Sequence, residues 1–260
     1  MPRIYPLFSS SSGNCTYIGS KTEGILIDCG VSYTRIKKAL AACGIIMEQA
    51  VSAVFITHAH SDHISGLNTL SKKLDIPVFA QSITRSEIED RGLISRRCDI
   101  ISKEIITPFC TVRAFETSHD TPQSCGYRID LKDGSSCGVC TDLGYVSGEI
   151  YESLRGCNAV LVESNYDGNM LDSCDYPYDL KQRIRSGIGH LSNEDCGELC
   201  AVLIKNGTDK FILGHISPHS NTPEKALETN VRILSEHGFI HNRDYIMTAA
   251  HTENSCFTAF

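Results

Sequence analysis

Val54-Phe55-Ile56-Thr57-His58-Ala59-His60-Ser61-Asp62-His63 is an apolar run that ends in four potential metal ligands within six residues. The run over Ala53 to Ile56 reads as a buried strand. If the chain leaves that strand extended, His58 and His60 project to the same side, because side chains alternate with period two. They are then placed to share one metal ion. Asp62 and His63 open a helix that carries Ile64, Leu67 and Leu70, so they can turn towards a second ion about 3.5–4 Å from the first, the usual two-metal spacing. A surface loop merely rich in histidine is the plain alternative, and the preceding strand and the compact spacing weigh against it.

The flanking sequence alternates strands and helices. Strands are expected near Ile4 to Phe8, Cys15 to Gly19, Gly24 to Asp28, Pro77 to Ala80, Thr111 to Thr117, Gly126 to Leu131, Ser136 to Thr141, Ala159 to Glu163, Lys210 to Leu213 and Tyr245 to Thr248. Ser32 is placed to cap a helix whose Ile36, Ala39, Leu40 and Cys43 share one face, with Gly44 closing it. Ser192 with Asp195 resembles a capping box for a helix through about Asn206. Thr222-Pro223 starts another, which Gly238 ends. Strands in runs of two or three, broken by single helices, fit two mixed sheets covered by helices, an αββα sandwich of the α/β (α+β) class.

Composition narrows the class further. The chain has 260 residues, 41% hydrophobic and 21% charged, as in soluble globular proteins. No linker-like stretch divides it, so one domain over 1–260 is expected. Apolar runs such as Ala159 to Val162 fall far short of the roughly 18 residues of a membrane span, so no membrane insertion is expected. The start lacks the pattern of a signal peptide, so a cytoplasmic location is expected. Thirteen cysteines, an odd number, then read as reduced thiols packed as small hydrophobes. Cys137-x-x-Cys140 lies in an expected strand, where i and i+3 face opposite sides, and Cys196 and Cys200 belong to a helix core face. A net charge of −7 disfavours a protein that coats nucleic acid.

The motif His58-x-His60-x-Asp62-His63 resembles the metallo-β-lactamase superfamily, whose αββα fold agrees with the pattern above. The resemblance implies an Asp at a strand end before the motif, matched by Asp28, and then His119, Asp142 and His215, each at the C-terminal end of an apolar run. It implies His58, His60 and His119 on one metal, Asp62, His63 and His215 on a second, and Asp142 bridging them. Asp28 would accept a hydrogen bond from a ligand imidazole and fix its tautomer. Nitrogen and oxygen donors without thiolate leave zinc, manganese and iron open for the two divalent ions. Two ions sharing a bridging hydroxide suit hydrolysis of esters, thioesters, amides or phosphodiesters.

Val160-Leu161-Val162-Glu163-Ser164-Asn165, Gly189-His190-Leu191-Ser192-Asn193 and Gly214-His215-Ile216-Ser217 resemble the nuclease side of that superfamily. There a His oriented by a Glu protonates the leaving oxygen, and His190 and Glu163 match those places. A hydrogen-bonded pair of purely structural role is the alternative. The chain is similar over nearly its whole length to the YycJ/VicX (WalJ) subgroup, through Ser10-Ser11-Ser12-Gly13-Asn14, Glu163-Ser164-Asn165, Gly189 to Asn193 and Asn221-Thr222-Pro223. Tyr166 and Ser220 depart from that pattern, standing where a His and an Asn are usual. The resemblance implies a 5′ to 3′ DNA exonuclease acting on DNA ends and a link to two-component signalling.

Ser11, Ser12, Gly13 and Asn14, with Asn221, are candidate substrate contacts; the serine-rich loop can offer hydroxyls and backbone N–H groups to a phosphate, or can be a plain turn. Arg35-Lys37-Lys38, Arg96-Arg97 and Lys181-Arg183-Arg185 are candidate grips on a strand, although the last three do not share a helical face. Two other classes stay open: a thioesterase or lactonase of the same fold, and a metal-bound interaction module.

Overall fold

Among the described residues two seven-stranded sheets form, each built from antiparallel strands that give way to parallel ones. A computed structural model describes residues 2–94, 98–101, 103–253 and 258–260. In the first sheet Arg3–Phe8 (β1), Cys15–Gly19 (β2) and Gly24–Ile27 (β3) pair antiparallel. Val51–Ile56 (β4), Val78–Ala80 (β5) and Cys98–Ile100 (β6) follow in parallel. The second sheet repeats the plan. Glu104–Ile106 (β7), Cys110–Glu116 (β8), Cys125–Leu131 (β9) and Ser136–Cys140 (β10) are antiparallel. Ala159–Glu163 (β11), Lys210–Gly214 (β12) and Ile246–Ala249 (β13) then add in parallel. Thr258–Ala259 (β14) pairs with the free edge of β1.

Period-two alternation sorts the side chains between layers. Ile25 and Ile27 of β3, with Phe55 of β4, meet Val112, Tyr127, Ile129, Val139, Leu161 and Ile212 of the second sheet to form the central core. Leu26, Val54 and Ile56 point the other way, under helices Tyr33–Ala42 (α1) and Leu67–Lys73 (α4). Val160, Val162, Phe211 and Leu213 do the same under Gly148–Leu154 (α6), Asn193–Lys205 (α9) and Pro223–Glu236 (α10). The two-sheet, helix-covered architecture expected from the sequence is the one observed. Cys137 lies in the central core and Cys140 in the outer one, on opposite faces of β10, and Cys196 and Cys200 face inward from α9.

The expected helix caps are in place. Ser32 accepts from Arg35 N–H, Ser192 from Asp195 N–H and Thr222 from Lys225 N–H. One helix differs from expectation: Ile64 and Leu67 belong to two short helices, Ser61–Ile64 (α3) and α4. Gly66 separates them. Its N–H donates to the Cys29 carbonyl, and a Cβ there would lie 2.0 Å from the Val31 carbonyl oxygen, so the chain must bend against that loop. The edge strands β6, β7 and β14 escaped the sequence reading, because two or three residues carry no periodicity. The remaining elements are Met47–Ala50 (α2), Ser82–Asp90 (α5), Gly168–Ser173 (α7) and Tyr178–Arg185 (α8). Among the described residues no helix is long and apolar enough to cross a membrane. Of the basic candidates, Arg35 pairs with Glu253 and Lys37 with Glu48, while Arg96 and Arg97 lie outside the described residues.

Candidate metal centre

Parallel strands deliver their C-terminal ends to one edge of a sheet, and here the two sheets present those ends to each other. Asp28 follows β3 and Asp142 follows β10, at equivalent places in the two halves, and both take φ 59°. His215 follows β12 with φ 52°. Three non-glycine residues in the left-handed region are costly, of order 1–3 kcal/mol each. Neighbours hold two of these turns. Asp28 Oδ1 accepts from Thr57 N–H at 2.9 Å and Oδ2 from Thr57 Oγ1 at 2.8 Å, and His215 N–H donates to Ser9 Oγ at 2.8 Å.

All seven proposed ligands converge. His58, His60 and His119 form one group of mutually close donors, His58, His63 and Asp142 a second, and Asp62, His63 and His215 a third, each within 4.8 Å. His58 Nε2 lies 3.1 Å from His60 Nδ1. Asp142 stands between the groups, Oδ2 3.3 Å from His63 Nε2 and Oδ1 3.7 Å from His119 Nε2. His58, His63, His119, Asp142 and His215 are buried.

Hydrogen bonds on the far side of each ring choose the nitrogen that faces inward. Thr57 Oγ1 donates to Asp28 and is 3.0 Å from His58 Nδ1, so that ring donates at Nδ1 and turns Nε2 inward. His63 Nδ1 meets Asp28 Oδ2 at 2.8 Å, and His119 Nδ1 meets the Gly189 carbonyl at 3.1 Å. His215 Nδ1 meets Glu163 Oε1 at 2.6 Å. Two atoms of the cluster, Asp142 Oδ2 and His215 Nε2, are buried without a hydrogen-bond partner among the described residues. Buried polar atoms are rarely left unpaired. An orphaned carboxylate oxygen and an orphaned imidazole nitrogen facing one cluster are the donor chemistry of a divalent cation site.

Charge follows the same division. Burial and the neighbouring His63 push His58 well below the ordinary imidazole range, and burial lowers His119. Burial would also lower His63 and His215, but Asp28 and Asp142 hold the first at about 9, while Asp142 and Glu163 hold the second at about 10.

Glu163 is buried and saturated. Oε2 accepts from the N–H groups of Leu143 at 3.0 Å and Leu191 at 3.1 Å, while Oε1 lies 2.9 Å from His190 Nδ1. Burial would raise this carboxyl, and the facing His190 and His215 outweigh it and hold it at about 2. Glu163 is therefore occupied in orienting two rings, although it also lies within reach of Asp142, His190 and His215 as a fourth donor group. The His190 and His215 ring centres are 5.2 Å apart.

The candidate substrate contacts divide. Ser11 and Ser12 are exposed on the loop after β1. Gly13 is buried where a Cβ would lie 2.3 Å from Val31 Cγ1. Asn14 turns inward, its amide nitrogen 3.1 Å from His63 Nε2 and 3.3 Å from Asp62 Oδ2. Asn221 is tied to Asn193 and to the Ser164 and Asn165 carbonyls. A cavity of about 200 Å³ beside His215 is lined by Ser9, Ser217, Asn221 and Thr222. On one side of α8 Lys181 donates to the Asp172 backbone carbonyl and Arg185 pairs with the Asp172 carboxylate, and of the three Arg183 alone reaches the cluster, through Asp120. Thr57 and Asp120 are participants that the sequence reading missed. Each adjoins a ligand histidine in sequence, and that adjacency was the one signal available.

Known proteins resemble this chain in sequence and in fold. Residues 23–216 match the Beta-lactamase superfamily domain. The chain is 34% identical over 237 residues to exodeoxyribonuclease YycJ of Bacillus anthracis, covering 90% of this chain and 89% of the relative. It is 35% identical over 237 residues to exodeoxyribonuclease WalJ of Streptococcus pneumoniae, covering 88% and 87%. Among solved structures, Zn(2+)-bound PqqB from Methylobacterium extorquens superposes with a TM-score of 0.73 over the whole of both chains at 12% identity, a likeness of fold.

Proposed function

The chain belongs to the beta-lactamase superfamily, and on that premise we propose that it is a metal-dependent phosphodiesterase, an exonuclease that shortens DNA from its ends. The observation that carries the proposal is the double hold of Glu163 on His215 and His190, which sets a proton donor beside a cluster of metal ligands.

In this reading residues 1–260 act as one domain. His58, His60 and His119 would hold one divalent ion and Asp62, His63 and His215 a second, with Asp142 as a donor shared by the two groups. Zinc, manganese and iron all suit these nitrogen and oxygen donors. When bound, the ions would supply Lewis acidity towards a phosphoryl oxygen and activation of water at neutral pH.

The protein's own groups do the remaining work. Asp28, through His63, and Thr57, through His58, keep the ligand nitrogens aimed inward. Asn14 bridges Asp62 and His63 and so ties the serine-rich loop to the cluster. Glu163 keeps His190 with Nδ1 towards the carboxylate, which leaves Nε2 to deliver a proton to the leaving oxygen. A departing 3′-alkoxide needs that proton, whereas a departing thiolate does not. The buried side of His190 therefore favours a phosphodiester over a thioester.

The test is turnover by metal-loaded protein on end-labelled DNA with a 5′-phosphate or a 5′-hydroxyl, beside acyl thioester and lactone substrates, with Asp62→Ala as control. Stepwise release of mononucleotides from the 5′ end is the expected result. Intact DNA with thioester or lactone turnover would overturn the proposal.

A further inference from the structure

The outer nitrogens of the ligand histidines can be accounted for one by one. A neutral imidazole that binds a metal through one nitrogen carries its proton on the other, and that proton needs an acceptor to hold the ring still. His58 Nδ1 has Thr57 Oγ1, His63 Nδ1 has Asp28, His119 Nδ1 has the Gly189 carbonyl and His215 Nδ1 has Glu163. His60 is turned the other way. Its Nδ1 faces the cluster, 3.1 Å from His58 Nε2, so its outer nitrogen is Nε2.

The carboxylate facing that nitrogen is Asp120, with Oδ1 at 4.0 Å. Oδ1 is buried and has no hydrogen-bond partner among the described residues, and it lies 3.3 Å from His119 Nε2. Its other oxygen, Oδ2, accepts from Nε of Arg183, which reaches over from α8 and is half exposed. The carboxylate is thus tethered on one side and unsatisfied on the side that looks at His60. The present 4.0 Å is too long for a hydrogen bond, and a shift of about 1 Å would make one.

We propose that Asp120 is the positioning residue of His60, with Arg183 as its tether, and that Oδ1 accepts Nε2–H of His60 when a divalent ion occupies the three-histidine position. This completes the set, giving each of the five ligand histidines an acceptor of its own. It also gives Arg183 a task that Lys181, on the Asp172 carbonyl, and Arg185, on the Asp172 carboxylate, do not share. The inference rests on the metal-binding reading above.

The experiment titrates metal-free protein with Zn²⁺ and, separately, with Mn²⁺ by calorimetry, and follows the imidazole N–H resonances of the zinc-loaded, ¹⁵N-labelled protein. Asp120→Ala should lower affinity at one of two sites by about 10–100-fold, leave the other unchanged, and remove one protected imidazole N–H signal. Asp120→Asn, whose amide oxygen still accepts, should lose less, and Arg183→Ala should fall between the wild type and Asp120→Ala. Wild-type affinity with all signals kept in Asp120→Ala would overturn the assignment. Equal losses in Asp120→Asn and Asp120→Ala with the signal retained would do so as well, making Asp120 a ligand instead. Absence of metal binding by the wild type would instead overturn the reading beneath it.

Discussion

Glu163 Oε1 lies 2.9 Å from Nδ1 of His190, and the same oxygen lies 2.6 Å from Nδ1 of His215. One buried carboxylate thus fixes a candidate ligand and a candidate proton donor together. His190→Ala should lower turnover of DNA by about 10²–10⁴-fold while metal content stays at the wild-type level. On a phosphodiester with a nitrophenolate leaving group, which departs without a proton, the loss should shrink. Equal losses on both substrates, in a steady-state comparison, would remove His190 as proton donor.

Asp28 separates charge from backbone shape. Asn tolerates the left-handed turn that Asp28 adopts, so Asp28→Asn should keep the fold and weaken the acceptor that His63 shares with the Thr57 hydroxyl. Metal affinity should fall by about 10–100-fold, read by competition with a chromogenic chelator. Unchanged affinity would mean that the His63 contact does not orient a ligand.

The pH dependence of metal stabilisation follows from His63 and His215. Their metal-free values of about 9 and about 10 stand above the roughly 6.5 of an unfolded imidazole. Their protons therefore stabilise the metal-free fold fully below about pH 6.5, and that contribution is lost as pH rises through 9 to 10. A bound ion must displace those protons, so its own stabilising effect grows with pH. The difference in Tm between metal-loaded and metal-free protein should widen from about pH 6 to about pH 9. Buried thiols act on both forms alike and cancel in the difference. A constant or narrowing gap would contradict the assignment.

Gly30 is a test of close packing beneath the site. A Cβ there would lie 1.5 Å from the Asp62 carbonyl oxygen, and the Gly30 N–H donates to the Asn14 carbonyl at 2.7 Å. Gly30→Ala should cost about 1–3 kcal/mol in urea unfolding and weaken metal binding, because Asp62 must move. Wild-type values of both would show that the loop yields freely.

Much of the fold was legible because the central strands of both sheets are buried on both faces. Gly24–Ile27 is apolar throughout and Ala159–Glu163 is apolar up to Glu163, and the caps at Ser32, Ser192 and Thr222 are local chemistry that sequence displays directly. The short edge strands were not legible, since pairing with a neighbour is all that makes Glu104–Ile106 a strand. The break between α3 and α4 was hidden for a similar reason. It depends on the Cys29 and Val31 carbonyls, more than thirty residues away.

The amino-acid sequence by itself determined the αββα class and the run of candidate ligands from His58 to His63, while the family resemblance it carries picked out Asp28, His119, Asp142 and His215 at the ends of apolar runs. Tertiary structure alone decided how those residues work. Which nitrogen of each ring faces inward depends on an acceptor brought from a distant segment, as with Gly189 for His119 and Asp28 for His63. Asn14 and Asn221 show the same limit, since an amide's role is set by what surrounds it, and both are engaged within the protein. The candidate ligands are written along the chain, whereas ring orientation, charge and the pairing of Asp120 with Arg183 arise only when remote segments close on one another.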